Sequence, residues 1–331
     1  MLKIIHIFFL LISLSANCHE EAPSYKNVSP IVGWNRYSGD SANSVKEWFR
    51  WWKYLRMKQP TIMEWIYGLQ LNIYPGNEIC RALFVRGIYD PNLVAAVDCI
   101  LPEGGVFLDA GASMGYVSLI AAKKCEHVFA LEPSGRDFTR LTSNIQINNM
   151  ENRISPYKLA VSDENSEKKM LIACEERNAL NTLGTEFSFK GVEKINEEKV
   201  ETITIDSFVE REEIKRLDLI KLDIEGSELM ALYGASETIK KYRPVIILGV
   251  KQESLKTCGT NCMELQHFIH KNGYYFYILQ EKPSFAFKKI NDISNLLVSV
   301  VFCFPEDVSP PILPQPEQKT LCDKCLAFFF E

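Results

Sequence analysis

From residue 106 onward the chain repeats one unit, a short apolar run followed by a turn or an amphipathic stretch. VFLDA (106–110), HVFALE (127–132), ISPYKLAV (154–161), DLIKLD (218–223), VIILGV (245–250), YYFYIL (274–279) and LLVSVVFCF (296–304) read as strands. YVSLIAAKKC (116–125) and DFTRLTSNIQINN (137–149) read as helices. Runs that stay apolar instead of alternating belong to strands buried on both faces, as when crossover helices cover both sides of a parallel sheet. The spacing predicts an α/β fold with a mostly parallel seven-stranded sheet and helices on both faces.

The loop after the first of these strands is the strongest local signal. In FLDAGASMGYVSL (107–119) a strand ends at Asp109, a tight turn runs from Gly111 through Ala112 to Gly115, and a helix begins. Gly111 permits the turn, Gly115 permits close approach of a ligand, and the first N–H groups of the helix can receive its polar atoms. Dinucleotide oxidoreductases carry G-x-G-x-x-G here. This chain has Asp109 where the first glycine would stand. A carboxylate at that place repels a pyrophosphate and attracts an ammonium group. Glu132 closes the next strand 23 residues later, where an acidic side chain accepts hydrogen bonds from ribose hydroxyls. The expected ligand is S-adenosylmethionine (SAM) rather than NAD, with Asp109, Gly111, Ala112, Gly115 and Glu132 as its contacts.

These segments resemble the FkbM family of methyltransferases. LDAGASMGYVSL is similar to the family's opening motif, as are ALEPS (130–134), LAVSDENS (159–166) and TIDSF (204–208). LIKLDIEGSELMALYGA (219–235) resembles its central I-K-x-D-x-E-G-x-E segment, and LNIYPGNEICRALFVRGIYDP (71–91) the stretch before the cofactor loop. The resemblance covers residues 65–304. It implies a Rossmann-like class I methyltransferase, SAM as methyl donor, O-methylation of a hydroxylated small molecule or glycan, and a contact between Asp163 and the adenine amino group. One departure accompanies it. IILGV (246–250) has Gly249 where many relatives carry a carboxylate, which predicts a changed acceptor or reduced activity. A non-catalytic module that keeps the fold as a binding surface is the alternative.

A hydroxyl acceptor must lose its proton during or after methyl transfer, so a carboxylate belongs beside it. Asp223 ends the fourth strand, where sheets of this kind present ligand-facing residues, and Glu225 follows two residues on. Either is a candidate base or acceptor-binding group. The other reading is that Asp223 caps the next helix and Glu225 sits in its first turn. Lys221 is expected to form a structural ion pair with one of these carboxylates.

The N-terminus reads differently. Lys3 precedes IIHIFFLLISL and a small-residue exit near Ala16, the layout of a signal peptide, shorter than the ~18 apolar residues of a membrane span. Residues 1–18 are therefore expected to export or anchor the chain, making it secreted or membrane-associated. Residues 19–64 form an extension with a helix at 45–58, whose Trp48, Trp51, Trp52 and Leu55 recur at helical spacing among basic residues. That helix packs on the main domain or lies at a membrane surface. Residues 305–331 form a proline-rich tail outside the core. Ten cysteines suit an oxidising compartment, with Cys258 and Cys262, and Cys322 and Cys325, placed for disulfides. Asn27 opens a glycosylation sequon. The Cys258, Cys262, His267, His270 spacing matches no common zinc site, so no metal is expected. The net charge of -5 gives no basic surface for nucleic acid.

Overall fold

The computed structural model describes residues 41–280, 286–294, 296 and 300–313. The N-terminal part comprises α1 (Ser41–Leu55), β1 (Thr61–Glu64), β2 (Gln70–Ile73), α2 (Glu78–Arg86) and α3 (Pro91–Ile100). Then follow β3 (Val106–Ala110), α4 (Tyr116–Ala121), β4 (His127–Leu131), α5 (Gly135–Ile147), β5 (Ile154–Tyr157), β6 (Ala160–Val161), β7 (Ser166–Ala173) and β8 (Lys194–Ile203). The last part holds α6 (Ile205–Arg211), β9 (Leu219–Leu222), α7 (Glu228–Tyr233), α8 (Ser236–Tyr242), β10 (Val245–Gly249), α9 (Gln252–Thr257), α10 (Cys262–Lys271), β11 (Tyr274–Gln280), β12 (Ala286–Ile290) and β13 (Val300–Pro305).

The main sheet runs β12-β11-β13-β10-β9-β3-β4-β5. Strands β5, β4, β3, β9 and β10 are mutually parallel. β13 is antiparallel to β10 and β11, and β12 closes the edge antiparallel to β11. Phe107, Leu219, Ile247 and Phe302 belong to one apolar core, and Leu108, Ile220, Leu248 and Val301 to a second. Alternate residues thus enter alternate cores, and apolar side chains are needed at every position. From β3 the chain moves outward through β4 to β5, then returns to β9 on the other side of β3. The crevice above their carboxyl ends is the switch point where such sheets bind ligands.

The structure corrects the reading of the sequence at several places. The sheet has eight strands, not seven. The added strand, β12, reads AFKKI and exposes Lys288 and Lys289, so it is a lysine-protected edge without an apolar run. Residues 69–90 read from the sequence as short strands broken by the Pro75-Gly76 turn, but only Gln70–Ile73 of them is a strand, paired with β1. After the Pro75-Gly76 turn the chain is helical, because the Asn77 side chain accepts from the Cys80 N–H at 2.8 Å and Gly87 ends the helix at φ 82°. ISPYKLAV divides between β5 and β6, and β6 joins β7 and β8 in a separate three-stranded sheet. Helix α1 buries Tyr54, whose hydroxyl reaches the Tyr74 and Asn77 carbonyls at 2.8 and 2.7 Å, while Trp48, Trp52 and Leu55 are exposed. Leu313 is buried, so the start of the tail is not wholly outside the core. Among the described residues no helix is long and apolar enough to cross a membrane, and Cys258 and Cys262 are free thiols. Residues 1–18, Asn27, Cys322 and Cys325 lie outside the described residues.

Candidate functional site

The strand-to-helix loop is held by its own backbone. The N–H groups of Gly111 and Ala112 both donate to the Leu131 carbonyl, at 3.0 and 3.1 Å, tying the loop to β4. Gly111 has φ 75°, and a Cβ there would run into the Asp223 carbonyl. Gly115 has φ 86°, and a Cβ there would enter Leu141. Both positions therefore need glycine on two counts, backbone conformation and space.

Beneath the loop sits a buried ion pair. Asp109 and Lys221 are register partners on β3 and β9, so their side chains leave the sheet on the same face. The Lys221 ammonium donates to Asp109 Oδ1 and to the Gly111 carbonyl, both at 3.0 Å. Asp109 Oδ2 accepts from the Ser118 hydroxyl at 2.6 Å. Burial opposes the charge on Lys221, but Asp109 and then Asp223 hold its ammonium above its ordinary range. Lys221 thus pairs with Asp109 and not with Asp223 or Glu225. The Asp109 carboxylate is spent on supporting the loop, not displayed to a ligand as its position in the motif suggests.

Above the pair lies a cleft that opens to solvent. Of the expected site residues it brings together Gly111, Ala112, Glu132, Asp223 and Glu225. Asp109 and Gly115 lie outside its lining, as does Asp163. Burial acts against the Asp163 charge, yet the Ser162 hydroxyl and Lys168 keep its carboxyl below the usual range. Glu132 is buried at the loop's side. Its Oε2 accepts from the Ser113 N–H at 2.9 Å and its Oε1 from the Ser134 N–H at 3.0 Å. Burial, reinforced by Asp137, pushes its carboxyl up to about 8 against those two donors.

Asp223 and Glu225 differ sharply. Among the described residues the exposed Asp223 carboxylate has no hydrogen-bond or ion-pair partner. It occupies the space beside Gly249, where a Cβ would collide with it. The glycine that departs from the family pattern thus makes room for a carboxylate from the next strand. Glu225 is buried at φ 49°, with Oε1 paired to Lys251 and Oε2 accepting from the Ser254 hydroxyl at 3.1 Å. Burial raises the Glu225 carboxyl, with Lys251 opposing and Asp223 adding to the rise. Glu228 begins α7 fully buried, and its carboxylate accepts from the N–H groups of Ile224 and Gly226 at 3.0 Å each. Burial pushes it up to about 8, and its role is to shape the 224–226 turn.

Sequence reasoning missed several lining residues. Asp90 caps α3 by accepting from the Leu93 N–H at 3.0 Å, in a left-handed conformation of φ 46°. Burial, with Asp223 adding, pushes its carboxyl up to about 6. The Asp90-Pro91 pair is a helix-start signal that could have located this cap. Tyr89 beside it meets Tyr116 edge-on at 5.8 Å between ring centres. At the other end Leu159, Ala160, Val161, Met170 and Leu183 make an apolar wall, rimmed by Asn178 and Asp137. Among the described residues the Ser113 hydroxyl and the Asn178 side-chain amide oxygen are buried without a partner, and both residues line the cleft.

A glycine loop at the end of β3, an acidic end to β4 and a carboxylate at the end of β9 meet in the ligand crevice of a Rossmann-like sheet. The profile of the methyltransferase FkbM domain matches residues 109–287, and the chain belongs to the FkbM methyltransferase family. It is 25% identical over 181 residues to the hexuronic acid methyltransferase AglP of Haloferax volcanii, spanning 55% of this chain and 70% of that relative. A crystal structure of methyltransferase FkbM from Methylobacillus flagellatus matches with 18% identity and a TM-score of 0.40, over 61% of this chain and 43% of the other. The M. jannaschii TYW2 structure in complex with AdoMet matches with 15% identity and a TM-score of 0.35, over 75% and 84% of the two chains.

Proposed function

We propose that the chain transfers the methyl group of SAM to a hydroxyl of a sugar or similar polyol. The observation that carries this reading is the pair of carboxylates flanking the glycine loop, Glu132 at the end of β4 and Asp223 at the end of β9, in one cleft. The residues present fit SAM. Glu132 keeps lone pairs for ribose hydroxyls beyond its two N–H bonds, the 159–161 wall offers an apolar face to adenine, and the Ser113 and Asn178 side-chain oxygens, without a partner among the described residues, can meet polar atoms of the ligand. The similarity to a protein named as a hexuronic acid methyltransferase supports a sugar acceptor.

SAM when bound supplies an electrophilic methyl group. The chain's own task is to align an acceptor oxygen with it, and orientation alone can lower such a barrier by ~7–11 kcal/mol. Asp223 is the better placed of the two candidate carboxylates, because its oxygens are uncommitted while both of Glu225's are engaged. Asp223 accepts the acceptor's hydroxyl proton, and Glu225 positions Lys251 and the turn before α7. Residues 65–304 are taken as the catalytic unit and residues 1–18 as an exporting or anchoring leader. The test is transfer of labelled methyl from SAM to a panel of monosaccharides and methyl glycosides, beside calorimetry with S-adenosylhomocysteine. Asp223→Ala should abolish transfer and leave S-adenosylhomocysteine binding intact. Full transfer by that variant rejects its role, and no binding by the folded wild type rejects the cofactor assignment.

A further inference from the structure

Five carboxylates line the cleft, those of Asp90, Glu132, Asp137, Asp223 and Glu225, against two ammonium groups, those of Lys221 and Lys251. Both ammonium groups are already committed, Lys221 to Asp109 and Lys251 to Glu225. Asp137 is paired with Arg136 and Arg140, and Glu132 is bonded to two backbone N–H groups. Asp90 and Asp223 remain without an ion pair among the described residues; Asp223 follows β9, on the other side of β3 from β4 and Glu132, and Asp90 lines the same cleft close enough to feel the Asp223 charge. Two carboxylates that form no ion pair, Asp223 and the helix-capping Asp90, create in this partly enclosed site a field that favours a cation beside them.

We infer that Asp90 and Asp223 together read the charge of the cofactor, attracting the sulfonium of SAM and giving no such attraction to its uncharged thioether product. This rests on the assignment of SAM to the cleft. SAM and S-adenosylhomocysteine share their adenosine and amino-acid groups and differ by the methyl group and its positive charge. Attraction that is lost when the methyl group leaves lowers the product's hold on the site and helps the next SAM displace it. Asp90 serves this as a fixed group: its cap bond to Leu93 and its position before Pro91 set the side chain's direction. Asp223 serves it through the gap at Gly249.

Binding reads the effect without any acceptor. The full chain and its Asp90→Asn, Asp223→Asn and doubly substituted variants would be titrated by calorimetry with SAM, S-adenosylhomocysteine and sinefungin, in which an aminomethylene group replaces the methylsulfonium. Asparagine keeps the helix cap and tolerates the left-handed backbone, so the variants remove charge and little else. In the double variant SAM and sinefungin should bind at least tenfold more weakly, while S-adenosylhomocysteine stays within twofold. Equal loss for all three ligands, or no change for any, overturns the inference and leaves the cofactor assignment standing. Failure of the folded wild type to bind any of them overturns both.

Discussion

Replacing Lys221 by methionine tests whether the cofactor loop hangs on a buried charge pair. The Asp109 and Lys221 side chains are 0% and 4% exposed and 3.0 Å apart. Methionine fills much of the lysine stem's place but leaves the Asp109 carboxylate with the Ser118 hydroxyl as its remaining side-chain partner. Removing one member of such a pair costs about 3–5 kcal/mol, because the survivor stays charged and desolvated. Native stabilities are only ~5–15 kcal/mol. With an unfolding entropy of about 2.1 cal/mol/K per residue, a 331-residue chain shifts by about 1.4 °C per kcal/mol, so the Tm should fall by about 4–7 °C. Adding Asp109→Asn removes the stranded charge and keeps an acceptor for Ser118. The bond from Lys221 to the Gly111 carbonyl is missing from both variants, so their difference isolates the charge. The double variant should recover at least ~2 kcal/mol. Urea unfolding followed by tryptophan fluorescence, at constant pH without ligand, measures this. A single variant that loses less than ~1 kcal/mol, or a double variant no more stable than the single, refutes the reasoning.

Glu228→Gln should weaken the dependence of stability on pH. With its carboxyl raised from 4.5 to about 8, the folded chain holds a proton that the unfolded chain has lost, so the stabilisation is full below pH 4.5 and declines as pH rises toward 8. Unfolding midpoints compared at pH 5.5 and 8 should converge in the variant, with part of the slope kept because Glu132 shifts the same way; an unchanged slope contradicts the assignment. Gly249→Ala places a Cβ against the Asp223 carboxylate and should cut methyl transfer at least tenfold with S-adenosylhomocysteine affinity within twofold; undiminished transfer contradicts the placement of Asp223.

The parallel half of the sheet and the glycine loop were legible in the sequence because burial on both faces and a tight turn demand particular residues at consecutive positions. β12 was not, since an edge strand half open to water carries no such demand. The site was legible where its residues close a strand, as Glu132 and Asp223 do. It was opaque where partners meet across the fold. The sequence placed Lys221 correctly as a structural cation but gave no means of choosing Asp109, 112 residues away. Likewise nothing marked Lys251 and Ser254 as the partners of Glu225, since their approach depends on how α9 follows β10. Asp163 illustrates the opposite case. The motif is present, and in the structure Lys168 and Ser162 engage a carboxylate that is not part of the cleft's lining.

The Asp109–Lys221 pair also sets an order of events during synthesis. The loop emerges from the ribosome early, complete in its glycines, yet its electrostatic support arrives only with β9, more than a hundred residues later. Until then Asp109 can stay hydrated, and the nascent strand lacks the cation that lets it enter the interior. A ribosome-stalled chain ending before residue 218 should therefore lack cofactor affinity despite carrying the whole glycine motif, and one extended past β10 should gain it. Ligand competence would then report that the two halves of the sheet have closed on one another.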